Sequence, residues 1–417
     1  MGLGLHGGGL ASARFFAEHG ATVTVTDLRD EQTLAPTLEK LADLPIRYVL
    51  ETHNEEDFTS ADLVIKNPAV SRNSPYLQLA PQIETDISIF LRLNRRPVIA
   101  VTGSTGKSTT ASALYHIARA YDPHVLLGGN ITVSPLTFLD NCLSHTQSPV
   151  ILELSSWQLA DIDPIGLLNA QIATVTNIMA DHQNSYSSMQ EYVEDKARIY
   201  AGQKPDAPSI CFYDDEYGRY YAAHTPGKPL FYSASPLPSD YEQGAFLQND
   251  IGYIRDKGET SEILPTALRI IGTHNRLNLL VAGLIAWLWG IPHEIIKREA
   301  ASFTGIEHRM ELVCTINGVS WYNDSAATIP DATAAGLKSL SACGKVHLIA
   351  GGTDKKLDFA PLDAVWHIPA SIHLLDGSAS THMQAELKHQ EIPFFGPYDT
   401  LHNAVQSAYT NAEPGDI

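Results

Sequence analysis

The stretch Val98-Ile99-Ala100-Val101-Thr102-Gly103-Ser104-Thr105-Gly106-Lys107-Ser108-Thr109 restricts the fold of this chain more than any other feature. Its four leading apolar residues predict a short strand buried on both faces. Ala111, Leu114, Ile117 and Ala118 then recur with the period of one helix face. A strand that enters a helix through such a glycine loop gathers backbone N–H groups and a helix N-terminus at one point, where they can surround phosphate oxygens. In that geometry Lys107 meets the β- and γ-phosphates and the Ser108 hydroxyl completes a Mg²⁺ shell. Val101 stands where the commoner G-x-x-x-x-G-K-[ST] form has its first glycine. A tight strand-to-helix turn that binds nothing is therefore the alternative.

The rest of the chain alternates strand and helix signals around this loop. After the link Asn94-Arg95-Arg96-Pro97, further buried strands are predicted at Val150 to Glu153, Ile172 to Asn177 and Ile210 to Tyr213, the pattern of a parallel sheet covered on both sides. Ahead of it, the run Gly2-Leu3-Gly4-Leu5-His6-Gly7-Gly8-Gly9 leads into a helical stretch from Ala11 to Glu18. A strand from Ala21 to Thr26 then ends at Asp27. Glycine loop, helix, strand and terminal acid make a nucleotide-binding half-fold. From Phe303 onward, Trp321 ends one strand, Val346 to Ala350 forms another before Gly351-Gly352, and Ile372 to Leu375 a third. The expected class is α/β with three domains. Residues 1–94 are read as Rossmann-like, 95–301 as a P-loop-ATPase-like parallel sheet, and 302–417 as a second, incomplete Rossmann-like unit. No strand precedes Gly2, so the chain is read as lacking both ends of a longer protein.

Composition narrows the partners. The 417 residues are 44% hydrophobic and 18% charged, enough to build several cores. With 28 basic and 47 acidic side chains the formal charge is -19. That excludes bulk electrostatic binding of nucleic acid or an anionic membrane, though not of small anions held in local loops. Cys142, Cys211, Cys314 and Cys343 form no C-x-x-C pair, which predicts reduced thiols in a cytoplasmic protein rather than a disulfide or zinc framework. Asn130-Ile131-Thr132 and Asn323-Asp324-Ser325 match the glycosylation pattern, which is common by chance. The apolar run from Leu279 to Ile291 is too short to span a bilayer and reads as a buried helix. A monomer is expected.

Two strand ends add chemistry. Glu153 closes one strand and Asp181-His182 follows another, so both project into the crevice where ligands of parallel sheets bind. Glu153 and His182 can both ligate a metal, although Mg²⁺ prefers oxygen and an isolated histidine is more often structural. Lys196 sits in the charged helical stretch from Glu191 to Tyr200, where by periodicity alone it is a solvated surface residue.

Taken together, these segments resemble the Mur ligase family. The resemblance runs in family order through the Gly-Lys-Ser loop, Glu153-Leu154-Ser155-Ser156-Trp157-Gln158-Leu159, Asp181-His182 with a following helical lysine, and Gly272-Thr273-His274-Asn275-Arg276-Leu277-Asn278. It continues through Phe303-Thr304-Gly305-Ile306-Glu307-His308-Arg309 and Asn323-Asp324-Ser325. The Glu-Leu-Ser-Ser-x-Gln-Leu run and the glycine-rich start look like the D-glutamate-adding branch. The resemblance implies an ATP-dependent amide ligase of peptidoglycan precursor synthesis, and so of cell shape and division. It would join D-glutamate to UDP-N-acetylmuramoyl-L-alanine through an acyl phosphate, with ATP as co-substrate and two Mg²⁺ ions.

The resemblance also implies residue roles. Gly103, Ser104, Thr105, Gly106, Lys107, Ser108, Thr109, Asn275, Asn278, Arg309 and Asp324 would bind ATP. Ser108, Glu153, His182 and a carbamylated Lys196 would hold metal, with Lys107, His182, Lys196 and Arg309 catalytic. Gly4, Leu5, His6, Asp27, Asn130 and Ser155 would contact the UDP substrate, and Thr328 and Lys355 the incoming amino acid. Departures from the family pattern are Ser104-Thr105 for Thr-Asn, Gln183-Asn184-Ser185 for Met-Asp-Arg, Ala326 for a common Lys, and an absent Ser-Pro-Ala-Cys-Ala-Ser segment. Rival readings are a folylpolyglutamate-type or other ligase of the superfamily, a nicotinamide-dependent oxidoreductase reading Gly2-x-Gly4-x-x-Gly7, and a nonenzymatic P-loop switch.

Overall fold

The computed structural model describes residues 1–5, 7–131, 133–162, 164–179, 186, 188–327, 330–354 and 359–417. The chain forms two compact units, residues 1–267 with 277–301, and residues 268–276 with 302–417.

In the first unit the glycine run feeds a helix over Gly8–Glu18, three residues earlier than Ala11. Gly9 permits the early start, since a Cβ there would lie 2.2 Å from the Leu3 carbonyl oxygen. Strand β1 (Val23–Asp27) pairs in parallel with β2 (Ile46–Leu50), and β3 (Val64–Ile65) with β4 (Ile83–Glu84). Met1 and Gly2 run between the two pairs. The Gly2 N–H donates to the Thr26 carbonyl at 2.8 Å, and the Met1 amino group to the Ile65 carbonyl at 2.9 Å.

The same unit contains a nine-stranded sheet. Its strands are β5 (Val98–Thr102), β6 (Leu126–Gly129), β7 (Val150–Glu153), β8 (Ile172–Val175), β9 (Pro208–Phe212), β10 (Lys228–Ser233), β11 (Gln243–Gln248), β12 (Ile251–Asp256) and β13 (Glu259–Leu264). The order is β13-β12-β11-β10-β9-β8-β5-β7-β6. All neighbours from β6 to β11 are parallel, as the apolar runs predict, while β12 and β13 turn back antiparallel. This hairpin edge was not legible as part of a parallel sheet. The chain leaves β5 to build β6 and β7 on one side and β8 on the other, so the order reverses beside β5. A reversal of this kind opens a crevice at the strands' C-terminal ends. On the helix Lys107–Tyr121, Ala111, Leu114, Ile117 and Ala118 are all buried, as their spacing requires. The apolar run is helical only as far as the end of the helix Thr273–Leu288 and buried from Leu279 to Ala286, while Trp289 to Ile291 lie beyond that helix. No helix of the described residues is long and apolar enough to cross a membrane.

The second unit pairs an antiparallel hairpin, β14 (Glu311–Ile316) and β15 (Val319–Asn323), with a parallel sheet of β16 (His347–Gly351), β17 (Ser371–Leu375) and β18 (Phe395–Tyr398). Trp321 therefore lies inside β15 rather than at its end. The turn is Asn317-Gly318, with φ of 51° and 82°, the left-handed pair that lets a two-residue loop follow the strand twist. The core gathers Leu337, Trp366, Leu374, Met383 and Leu387.

One polar chain crosses this core. His373 is fully buried, its Nε2 2.7 Å from Ser371 Oγ and its Nδ1 2.9 Å from Ser407 Oγ. Ser371 Oγ lies 2.6 Å from His347 Nδ1, and His347 Nε2 lies 3.0 Å from Asp416 Oδ2. Burial, and then the nearby His347, push the His373 pKa from 6.5 down to about 4. A depressed histidine binds fewer protons folded than unfolded, so its contribution is complete above the unfolded value and is lost as pH falls from about 6.5 towards about 4. Urea unfolding followed at pH 7 and pH 4.5 is expected to show this unit losing roughly 1–3 kcal/mol, and His373→Asn to flatten that acid limb.

Candidate active site

The loop between β5 and the helix Lys107–Tyr121 is built from glycine geometry and side-chain struts. Gly106 caps the helix with φ 79°, and a Cβ on it would lie 2.3 Å from Asn278 Oδ1. A Cβ on Gly103, φ 150°, would lie 1.9 Å from Thr176 Oγ1. Both positions exclude other residues. Asn177, two residues beyond the neighbouring strand β8, holds the loop from outside. Its carbonyl accepts from the Ser104 N–H at 2.9 Å, and its Oδ1 from the Thr105 N–H at 3.0 Å. Those two amides therefore face Asn177, and the helix N-terminus beyond them is oriented to attract an anion. Lys107 Nζ curls over the loop, donating to the carbonyls of Gly103 and Ser104 at 2.9 Å each. Ser108 is half-buried and Thr109 buried in the first turn.

Lys196 is 1% exposed, which overturns the surface position that periodicity assigns to it. Its ammonium donates to the Gly103 carbonyl at 2.9 Å and lies 4.6 Å from the Tyr192 ring centroid. The helix Met189–Ala197 buries Tyr192, Val193, Asp195 and Lys196 together. Tyr192 OH in turn lies 3.0 Å from Ser104 Oγ, tying this helix to the loop. Glu153, also 1% exposed, is the register partner of Val101 at the root of the loop. Its Oε1 accepts from Asn130 Nδ2 at 2.9 Å, whereas its buried Oε2 has no hydrogen-bond partner among the described residues. A carboxyl oxygen buried without a hydrogen-bond donor suits a cation. No cluster of three or more His, Cys, Asp or Glu side chains placed to hold a metal occurs among the described residues.

The remaining expected residues fall in several places. Asp27 is buried, with Oδ2 accepting from the Gly4 N–H and Oδ1 from the Arg29 N–H, each at 3.0 Å, so it fastens the glycine run to β1. Leu5 is exposed beside it. The Ser155 hydroxyl caps the helix Ser156–Ala160 by accepting from the Gln158 N–H. In the second unit Arg309 is exposed, Asn275 Nδ2 donates to the Ile271 carbonyl at 2.7 Å, and Asp324 Oδ1 accepts from the Met310 N–H at 3.0 Å. Burial raises the Asp324 carboxyl above its ordinary value. His6, His182, Thr328 and Lys355 lie outside the described residues. Thr176, Asn177 and Tyr192 escaped sequence reasoning. A polar pair directly after a buried strand was the available signal for the first two.

Known families divide the chain in the same order as its sequence blocks. The "Mur ligase MurD-like, N-terminal domain" matches residues 1–89, the "Mur ligase middle domain" residues 101–286, and the "Mur ligase, glutamate ligase domain" residues 308–417. A UDP-N-acetylmuramoylalanine--D-glutamate ligase of Borreliella afzelii (strain PKo) is 39% identical over 422 residues, covering 100% of this chain and 90% of its own length. The chain belongs to the Mur ligase family. A second Mur ligase of the same name, from Treponema pallidum (strain Nichols), is 37% identical and covers 97% of this chain and 89% of its own. Among solved structures, the fold is shared with a Thermotoga maritima MurF ligase in complex with ADP, at TM-score 0.61 and 15% identity over 95% of this chain and 91% of that one. A pseudomurein peptide ligase type C from Methanothermus fervidus superposes at TM-score 0.57 and 16% identity, over 98% and 93%.

Proposed function

We propose that this Mur ligase joins the amino group of D-glutamate to the lactyl-alanine carboxylate of UDP-N-acetylmuramoyl-L-alanine, with ATP converted to ADP and phosphate. The observation that carries this reading is the burial of Glu153 and Lys196 against the Gly103–Lys107 loop, with Lys196 Nζ 2.9 Å from the Gly103 carbonyl. The names of the relatives in Borreliella afzelii and Treponema pallidum supply the amino acid and the acceptor.

The chemistry asks for positioning and charge neutralisation rather than a nucleophilic side chain. A carboxylate oxygen of the acceptor attacks the γ-phosphorus of ATP, its P–O bond to the β-phosphate breaks, and ADP leaves. Lys107, Arg309 and the helix N-terminus offset the spreading negative charge. The D-glutamate nitrogen then attacks the acyl-phosphate carbonyl, loses a proton and expels phosphate as the amide forms. Mg²⁺, when bound through Ser108, Glu153, His182 and a carbamate on Lys196, would withdraw charge from the phosphates. Asn275, Asn278 and Asp324 are assigned to the nucleotide, Gly4, Leu5, His6, Asp27, Asn130 and Ser155 to the UDP substrate, and Thr328 and Lys355 to D-glutamate. The corresponding division of labour is 1–94 for the UDP substrate, 95–301 for ATP and 302–417 for the amino acid.

The test is ADP release with each component omitted in turn. One ADP per amide is expected only when ATP, UDP-N-acetylmuramoyl-L-alanine and D-glutamate are all present. Equal release without D-glutamate, or equal amide yield with L-glutamate or glycine, would overturn the assignment.

A further inference from the structure

The segment after β3 carries two cations that share one acid. Lys66 is 4% exposed, and its ammonium donates to Asp161 Oδ2 at 2.5 Å. Arg72 is exposed, and its Nε donates to the other oxygen of Asp161 at 2.8 Å. The guanidinium also lies 4.0 Å from Asp195 Oδ2. Asp195 Oδ1 is 3.4 Å from Arg198 Nε, and Arg198 donates to the Ala160 carbonyl at 3.0 Å. Asp161 directly follows the helix Ser156–Ala160, which the chain enters just beyond Glu153, and Asp195 directly precedes Lys196. One ion network thus joins the β3 segment to the two elements that place the buried carboxylate and the buried lysine of the site.

Between its two cations this segment folds onto the glycine run. The Asn67 N–H donates to the Met1 carbonyl at 3.0 Å. A Cβ on Gly2 would meet Val70 at 2.8 Å and Asn67 at 3.0 Å, and one on Gly4 would come within 3.6 Å of the Asn67 amide nitrogen. A buried Lys–Asp pair seldom stabilises a fold more than apolar side chains of equal volume, because both ions lose their hydration. Its distinctive property is that only one register satisfies both partners.

We propose that Lys66 and Arg72 are positioning residues: through Asp161 and Asp195 they hold the wall of the glycine run in register with Glu153 and Lys196. This role rests on the substrate placement in the reading above, with the UDP substrate gripped at the glycine run and its carboxylate at the Gly103–Lys107 loop, and not on the transfer step itself. An ångström of misplacement between those ends is enough to slow transfer by on the order of 10²-fold.

The test compares wild type with Arg72→Ala, Arg72→Lys, Asp161→Asn and the Arg72→Ala/Asp161→Asn double variant. Steady-state ligation gives KM for each substrate, calorimetry gives direct binding of UDP-N-acetylmuramoyl-L-alanine, and thermal melts report folding. Arg72→Ala is expected to raise KM for the UDP substrate and lower kcat, on the order of tenfold in their ratio, with KM for ATP changed less than about twofold. Arg72→Lys should recover most of the loss, and the double variant should lose less than the product of the single losses. Unchanged kinetics in Arg72→Ala, or equal effects on both KM values without rescue by lysine, would overturn the role. Wild type that binds the UDP substrate but forms no amide refutes the ligase reading alone, and calorimetry on the variants then decides the positioning role. Wild type that fails to bind it refutes both.

Discussion

Replacing Lys107 with alanine is expected to cut the rate of amide formation on the order of 10³-fold while leaving the circular dichroism spectrum unchanged. The ammonium is held over the Gly103–Lys107 loop by the carbonyls of Gly103 and Ser104, at 2.9 Å each. In the proposed reaction it faces charge that spreads over the transferring phosphoryl oxygens, and preorganised donors at such points carry factors of about 10²–10⁵. Its structural loss is small by comparison, since two partly buried carbonyls losing a donor cost about 1–3 kcal/mol. Glycine positions behave oppositely. Gly106→Ala places a Cβ against Asn278 in a left-handed backbone, so it should lower the melting temperature as well as activity. Near-normal ligation by Lys107→Ala, measured as product formed at saturating substrates, would remove the phosphate-loop assignment.

Lys196→Ala is expected to lose activity by a similar order, on the order of 10²–10³-fold, and its rescue tells which charge the side chain carries. Lys196 is 1% exposed, donates to the Gly103 carbonyl and lies over the Tyr192 ring. A carbamate would turn this position into an acid that shares cation-binding work with Glu153, whose Oε2 is buried and unpaired among the described residues. Acetate is then expected to restore part of the activity of Lys196→Ala, and methylamine none. In the native protein, ¹³C-bicarbonate should give a carbamate carbon resonance that is absent from the variant. Rescue by methylamine with no such resonance would assign an ammonium instead.

The two lysines differ in how visible they are. Lys107 is legible from its neighbours alone, because an apolar strand, two spaced glycines and an amphipathic helix leave one consistent local geometry. Lys196 is not, because the helix around it reads as charged and solvated, and only family resemblance singled it out. Its burial arises as Tyr192 and Val193 join the core cluster that also holds Ala173 and Val175 of β8, segments apart in the chain. The same holds for Asn177, which supports the loop only because β8 lies beside β5. The β14–β15 hairpin carries a local Asn317-Gly318 turn signal, but its partner strand is set by the pairing itself.

The features legible in the chain alone are local and periodic. They are the parallel strands β5, β7 and β8, the helix face at Leu114, the buried helical run from Leu279, the strand-to-helix glycine loop, and the acid at the end of β7. These follow from side-chain period, glycine conformation and apolar burial, all of which act within a few residues. The antiparallel edge at β12–β13, the burial of Lys196, and the ion network from Lys66 through Asp161 to Asp195 come instead from long-range packing. Each of these depends on which surfaces meet, and the energy of a buried charge is set by partners distant in sequence, as Asp161 stands 95 residues from Lys66.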